Sequence, residues 1–318
     1  MGKINIAEII DKAFTSSDLA NGGLLQPEQA AKFVRGAIDN SVIIKECRKE
    51  PMKATKKQID KVTYGSSVLQ KPNAVGTAPT TTTKPTTTKV TLDAAETIVA
   101  LDIGYDSLED SIEGKGLFDT IMELTAKRMA YDLDNLCLNG DVAGATSDYL
   151  EILDGVFDQI STYSLDASAV TLSDTVLFNC LKLLPSKYYD EDESNMRFYV
   201  SHRARLDYTK ALADKNVDSA FVSYLVQGKE PTYNGIPVRK VPAITTETIT
   251  YGTTTANGSK GLFINPKNIV MGIHRDIMYE FQRQPRKRII EVTITMRLDF
   301  KLEEEEACVE ILNIRHSA

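Results

Sequence analysis

Few side chains in this 318-residue sequence could do chemistry at neutral pH, and their spacing narrows the field further. The three histidines, His202, His274 and His316, stand far apart. His202 precedes Arg203 near a predicted strand-to-helix junction, which suits a capping or packing role better than a general base. The four cysteines, Cys47, Cys137, Cys180 and Cys308, form no Cys-x-x-Cys pair and have no histidine at ligand spacing. Neither a zinc knuckle nor a redox pair is expected. Cys137 and Cys308 fall inside periodic apolar segments and read as buried free thiols, which fits reducing conditions. Gly114-Lys115-Gly116 begins a Gly-x-Gly pattern, but Asp119 stands where the third glycine belongs. A phosphate-binding loop and a Gly-x-Ser-x-Gly elbow are absent. Asp190 to Glu193 lack the alternating ligands and the glycine of a calcium loop, so they read as a solvated acidic loop. No catalytic residue, metal or cofactor is therefore expected.

Charge gives the remaining candidates. Against 37 Lys and Arg stand 44 Asp and Glu, a net charge of -7, which argues against phosphate-backbone binding as the main activity. The one basic cluster is Arg283, Arg286, Lys287 and Arg288 around Pro285. Two readings stand: it touches phosphate, or it meets an acidic surface on a neighbouring subunit. The run Glu303, Glu304, Glu305 and Glu306 is an available counterpart for the second. Surface ion pairs contribute only about 0 to 1 kcal/mol, so such contacts would set register more than strength. No apolar run approaches the roughly 20 residues of a membrane helix, and Met1 to Ile10 lacks the features of a secretory signal. A soluble protein without a membrane partner, made in a cytoplasm, is expected.

The elements that would position these groups are unusually long. Ile6, Ile9, Ile10 and Phe14 predict a short amphipathic helix, a turn follows at Asn21-Gly22-Gly23, and a second helix opens at Gln26-Pro27-Glu28 with Ala30, Phe33, Val34, Ala37 and Ile38 on its face. Two strands follow, one around Ile59, Val62 and Tyr64 and one through Val90, Leu92 and Ala94. Between them, Thr77 to Thr91 holds nine threonines in fifteen residues, with Lys84 and Lys89 its only charges and Pro79 and Pro85 as interruptions. Such a segment cannot build a core. It reads either as a disordered linker or as the polar tip of a long two-stranded arm, and the second is preferred because a strand resumes after it. An isolated hairpin is marginal in water, so an arm of this kind needs a partner to lie on.

Helical spacing then runs from Leu117 to Asn139, with Phe118, Ile121, Met122, Thr125, Met129, Leu133, Leu136 and Cys137 on one face. Shorter helices near Leu172 to Leu184 and Ala204 to Ala213, a strand at Phe198 to Val200 and a turn at Asn234-Gly235 predict an α+β unit. Ile290, Val292, Ile294, Met296, Leu298, Phe300 and Leu302 alternate with polar residues in a half-buried strand far longer than the usual five or six residues. A shorter strand through Ala307, Val309 and Ile311 is expected to return beside it.

Taken in this order, the features resemble the major capsid proteins of tailed bacteriophages, whose fold is shared with encapsulin compartments and was first seen in the Hong Kong phage. The resemblance rests on Gly23-Leu24-Leu25-Gln26-Pro27, the projecting hairpin, the long helix ending Leu138-Asn139-Gly140-Asp141, Phe198-Tyr199-Val200-Ser201 running into a helix, Gly235-Ile236-Pro237-Val238, and the long C-terminal strand. It implies an N-terminal arm over 1–50, an extended hairpin loop over 51–100, a peripheral domain with the long spine helix over 101–141, an axial α+β domain over 142–270, and peripheral strands over 271–318. It also implies self-assembly of pentamers and hexamers into an icosahedral shell enclosing double-stranded DNA, without sequence-specific binding. A portal and decoration proteins are implied partners, in a virion assembled in a host cytoplasm. Because the arm motif begins by Gly22, a separate scaffold protein is expected. Some relatives join a loop lysine covalently to a neighbour's asparagine. Lys71 matches that lysine, but Arg288 falls near the asparagine position, so a non-covalent shell is expected. Lys71, Lys84, Lys89, the basic cluster and the acidic run are the candidate contacts between subunits. An encapsulin-like compartment is the alternative, and a soluble enzyme a remote one.

Overall fold

The computed structural model describes residues 41–64, 67–69, 71, 84–106, 117–144, 147, 149–188, 195–215, 230–252 and 254–317. The predicted N-terminal helices, the turn at Asn21-Gly22-Gly23, residues 77–83 of the Thr-rich segment and the acidic loop 190–193 lie outside them.

Four strands come first: β1 (Arg48–Pro51), β2 (Lys56–Thr63), β3 (Thr86–Asp93) and β4 (Ala95–Gly104). They precede α1 (Leu117–Asn139), which has the bounds its periodicity predicts. At about 1.5 Å per residue this helix is roughly 35 Å long. Its packed face carries Ala126, Met129, Ala130, Leu133, Leu136 and Cys137 at spacings of three and four, all buried. Leu124, off that face, is exposed.

The opposing surface is a four-stranded sheet in the order β1, β11 (Ile269–Gln284), β12 (Ile289–Leu302), β4. The 14 residues of β12 span roughly 46 Å at about 3.3 Å each. Ile290, Val292, Ile294, Met296, Leu298 and Phe300 are buried in one core with Met129, Leu133 and Leu136 of α1. The alternate positions are half-buried, with one exception: Asp299 is only 2% exposed.

A second sheet runs β5 (Ser164–Asp166), β13 (Cys308–Arg315), β10 (Thr254–Ile264), β6 (Arg197–Val200), β8 (Ile236–Lys240), β7 (Thr232–Tyr233), with β9 (Glu247–Tyr251) also paired to β10. After the single-turn helix α2 (Val156–Gln159) come α3 (Asp174–Leu183) and α4 (His202–Lys215), which bury Leu177, Cys180, Ala204 and Tyr208 in the core of this sheet. The Phe198 and Phe263 rings stack there with centroids 4.4 Å apart. The predicted Asn234-Gly235 turn joins β7 to β8, with φ of 50° and 81° at its two residues, the left-handed pair that a tight hairpin turn requires. The described residues are thus α+β, with two large sheets and a separate two-stranded ladder of β2 and β3.

Three boundaries differ from those the sequence suggests. The strand expected to return beside β12 does not pair with it: β13 joins β10 and β5 in the second sheet. Cys308, Val309, Glu310 and Ile311 are buried in succession, the two-sided burial of an interior strand rather than a sheet margin. The segment 271–318 is therefore divided between the sheets. Residues 95–100, expected in the hairpin, belong to β4 and pair with β12, so the hairpin ladder ends where Lys56 faces Asp93. Within the expected arm, β1 pairs in parallel with β11.

Candidate assembly surfaces

The β2–β3 hairpin is an eight-residue antiparallel ladder running from Lys56 opposite Asp93 to Thr63 opposite Thr86. Two strands alone do not hold together well in water, and only the root of this pair has a core. Leu92 is fully buried there with Met52, Ala94 and Val270. Gly272 makes the room: a Cβ at that position would stand 2.7 Å from Met52 Sδ and 3.1 Å from Leu92 Cδ1. The amide of Asp93 donates to Asp299 Oδ2 at 2.7 Å, and the amide of Phe300 to Asp299 Oδ1 at 2.8 Å. The hairpin root thus covers a position that the alternation of β12 alone would leave outside. Burial raises the Asp299 carboxyl above the usual carboxylate range, against the pull of the Asp93 amide. Farther out the support ends. Thr86 to Lys89 are exposed, as are Val62, Tyr64, Val68 and Leu69.

The four consecutive glutamates turn out to be partners within the chain. Arg48 Nη1 of β1 donates to Glu303 Oε2 at 3.0 Å. Lys61 of β2 pairs with Glu304. Ser161 donates to Glu305 Oε1 from both its amide and its hydroxyl, each at 2.7 Å, and the Thr162 hydroxyl adds a third bond at 2.8 Å. Lys187 Nζ meets Glu306 Oε2 at 3.0 Å. Each carboxylate ties down a different segment. Burial works to raise the Glu304 carboxyl, but the bonds from Lys61 and Tyr188 outweigh it, so it stays below its ordinary value. The Ser161 hydrogen bonds lower Glu305, and the Lys187 bond lowers Glu306.

The basic cluster lies at the β11–β12 turn, the end of the first sheet remote from the acidic turn. Arg288, at φ 56°, turns the chain and reaches Asp106 at 2.7 Å. Lys287 meets Glu291 at 3.2 Å. Arg286 is exposed and has no ion pair among the described residues. Arg283 is exposed at the end of β11. Within one chain the structure does not bring this cluster to the acidic run. Lys71 and Lys84 are exposed beyond the ladder, and Lys89 faces Asp60 across it at 3.9 Å.

Several structural anchors escaped the reading of the sequence. Asp134 in α1 accepts the amide of Val42 at 2.7 Å and those of Ile43 and Ile44 at 3.3 Å, pinning the incoming chain. Its burial raises the carboxyl pKa despite those bonds. Glu46 binds Arg239 and accepts from the Tyr199 hydroxyl at 2.7 Å, linking the chain before β1 to the second sheet. At the Asn139-Gly140-Asp141 corner, Gly155 N donates to Gly140 O at 2.7 Å, and a Cβ on Gly140 would overlap the Leu153 carbonyl. All four thiols are free and buried, with Cys47 and Cys308 pushed up to about 12 by desolvation. His202 is exposed at the start of α4, whereas His316 is buried. No helix among the described residues is long and apolar enough to cross a membrane, and among them no group of three or more His, Cys, Asp or Glu is placed to hold a metal ion.

A long helix packed on an elongated sheet, a second sheet packed by helices and a hairpin rooted on the first make up the architecture. Residues 21–311 match the phage capsid family, and the chain belongs to that family. It is 32% identical over 311 residues to the putative prophage capsid protein YqbE of Bacillus subtilis (strain 168), covering 97% of this chain and 98% of that one. The fold is that of the satellite phage P4 procapsid that includes the size determination (Sid) protein, with a TM-score of 0.63, 12% identity and 96% of each chain covered. A solved structure of Gordonia phage Cozz gives a TM-score of 0.58, 14% identity and 87% of each chain covered. The holo-SrpI encapsulin complex of Synechococcus elongatus PCC 7942 gives 0.57 at 10% identity over 100% of this chain and 99% of that one.

Proposed function

We propose that this protein is the major head protein of a tailed phage or prophage, assembling as pentamers and hexamers into an icosahedral shell around double-stranded DNA. The observation that carries this reading is the hairpin: an eight-pair ladder whose distal half exposes Val62, with Tyr64 exposed just beyond it, and has no core of its own. The exposed part of such an element gains cover only when another copy lies on it. The uneven supply of apolar surface fits as well, because the fully buried apolar residues are at the hairpin root and the positions beyond it are exposed or only half-buried. The net charge of -7 suits a wall that must not hold packaged DNA tightly. In this reading the protein has no reaction to catalyse. The shell is held by non-covalent contacts, and it is built in the host cytoplasm with a separate scaffold, a portal and decoration proteins. Lys71, Lys84, Lys89 and the basic cluster Arg283, Arg286, Lys287 and Arg288 are the contacts proposed between subunits.

The encapsulin match over the whole chain supports a second reading, a shell around a protein cargo. Nuclease treatment of purified particles separates the two. Protected double-stranded DNA is expected; a protected enzyme in its place would favour the compartment.

A further inference from the structure

The hairpin is tied to the body at two levels along its length, at its root, where Lys57 of β2 also meets Glu50 at 2.6 Å and the Pro51 carbonyl at 2.9 Å, and farther out. The first is the root, where Leu92 packs beside Gly272 and the Asp93 amide sits on Asp299. The second is Lys61, paired with Glu304. Lys61 stands five residues beyond Lys56, where the ladder begins, roughly 16 Å farther out at about 3.3 Å per residue. A two-stranded ribbon fixed only at its root has no third strand to brace it and can pivot there. A tie at that distance stops the pivot. The side chains keep 24% and 26% of their exposure, so solvent and salt screen this pair less than they screen a surface pair. The carboxylate is itself held on a braced turn, because Glu303, Glu305 and Glu306 are bound to Arg48, Ser161 and Lys187. None of these contacts needs a second copy of the chain.

We propose that Lys61 and Glu304 form a latch that fixes the angle at which the hairpin leaves the body of the chain, with the acidic turn as its rigid catch. A closed latch holds the hairpin in one direction, and an open one leaves it free to pivot about Asp93. The idea concerns the single chain and stands or falls independently of the shell.

The test is a spin-label distance in the full-length chain, diluted with unlabelled protein so that only intramolecular pairs are read. Labels go on Thr87→Cys in the hairpin ladder and Lys210→Cys on α4; both positions are exposed, and the four native thiols are buried and should stay unlabelled. The otherwise wild-type chain should give one narrow distance distribution. Lys61→Gln and Lys61→Glu should each broaden it, raising the displaced fraction about fivefold, the factor expected from losing a partly screened ion pair. The double reversal Lys61→Glu with Glu304→Lys should restore the narrow distribution. An unchanged distribution in Lys61→Glu would overturn the latch. So would broadening in the Glu variant but not the Gln variant, since repulsion rather than loss of the tie would then move the hairpin. Failure of the double reversal to recover the wild-type distance would also overturn it.

Discussion

Asp299 and Gly140 show how much of this fold depends on single positions whose neighbours are far away in sequence. Asp299 sits at a position of β12 that alternation assigns to the outside, and only the hairpin root, more than 200 residues earlier, buries it. Its carboxyl is raised by desolvation, so the folded chain binds that proton more tightly than the unfolded chain does. The stability this contributes is present below the ordinary carboxylate value and is lost as the pH rises through the raised pKa. Asp299→Asn keeps an acceptor for the Asp93 amide and removes the titration. In denaturant melts the wild type should therefore gain stability relative to the Asn variant between pH 7 and pH 4. A difference that does not change with pH would show that Asp299 does not titrate differently on folding. Gly140 makes an equally sharp case. A Cβ there would overlap the Leu153 carbonyl and lie 2.7 Å from Leu136 O, both backbone atoms that cannot swing aside. Gly140→Ala should cost about 3 kcal/mol or more in a denaturant melt, at the severe end for one substitution. The Asn-Gly-Asp sequence was visible from the start, but its reason was not, because Leu153 and Gly155 lie across a loop.

At the scale of elements, legibility followed from whether a signal is local. The bounds of α1 and the alternation of β12 are periodic patterns within one segment, and the structure reproduces both. The Asn234-Gly235 turn is equally local. Strand partnership is not: the alternation of Val309 and Ile311 says that they form a strand but not which sheet takes it, and β13 went to the second sheet. The acidic run was legible as charge but not as a set of ties within the chain, since Arg48, Lys61, Ser161 and Lys187 come from four separate segments. The hairpin was legible as an arm by its composition, and its ladder now marks where a deletion can be made cleanly. Thr86 to Lys89 pair with Thr63 to Asp60, so a cut must stop short of them. Removing residues 73–85 should leave the thermal midpoint of the unassembled chain within about 2 °C of wild type, because the residues that bury apolar surface at the root remain, while particle formation fails. A large fall in the midpoint would show that the tip stabilises the single chain.

Over the whole molecule, the design that emerges is one of well-buried centres and unfinished edges. Two cores close around α1 and around α3 and α4, while the hairpin and the β11–β12 turn extend away from them. Arg286, exposed at that turn and without an ion pair among the described residues, is the part of the basic cluster most available to a neighbour. Arg286→Glu should leave the melt of the unassembled chain unchanged and weaken assembly, read as a higher protein concentration needed to form particles. A matching reversal within Glu303 to Glu306 should not rescue it, because those carboxylates already hold their own chain together. The central claim is that these edges are completed by sister subunits, and electron microscopy with light scattering of the purified protein tests it most directly. Closed particles of uniform size, built from chains of 35.2 kDa, are the predicted result. A protein that stays monomeric under all conditions, including in the presence of the proposed scaffold protein, would contradict it.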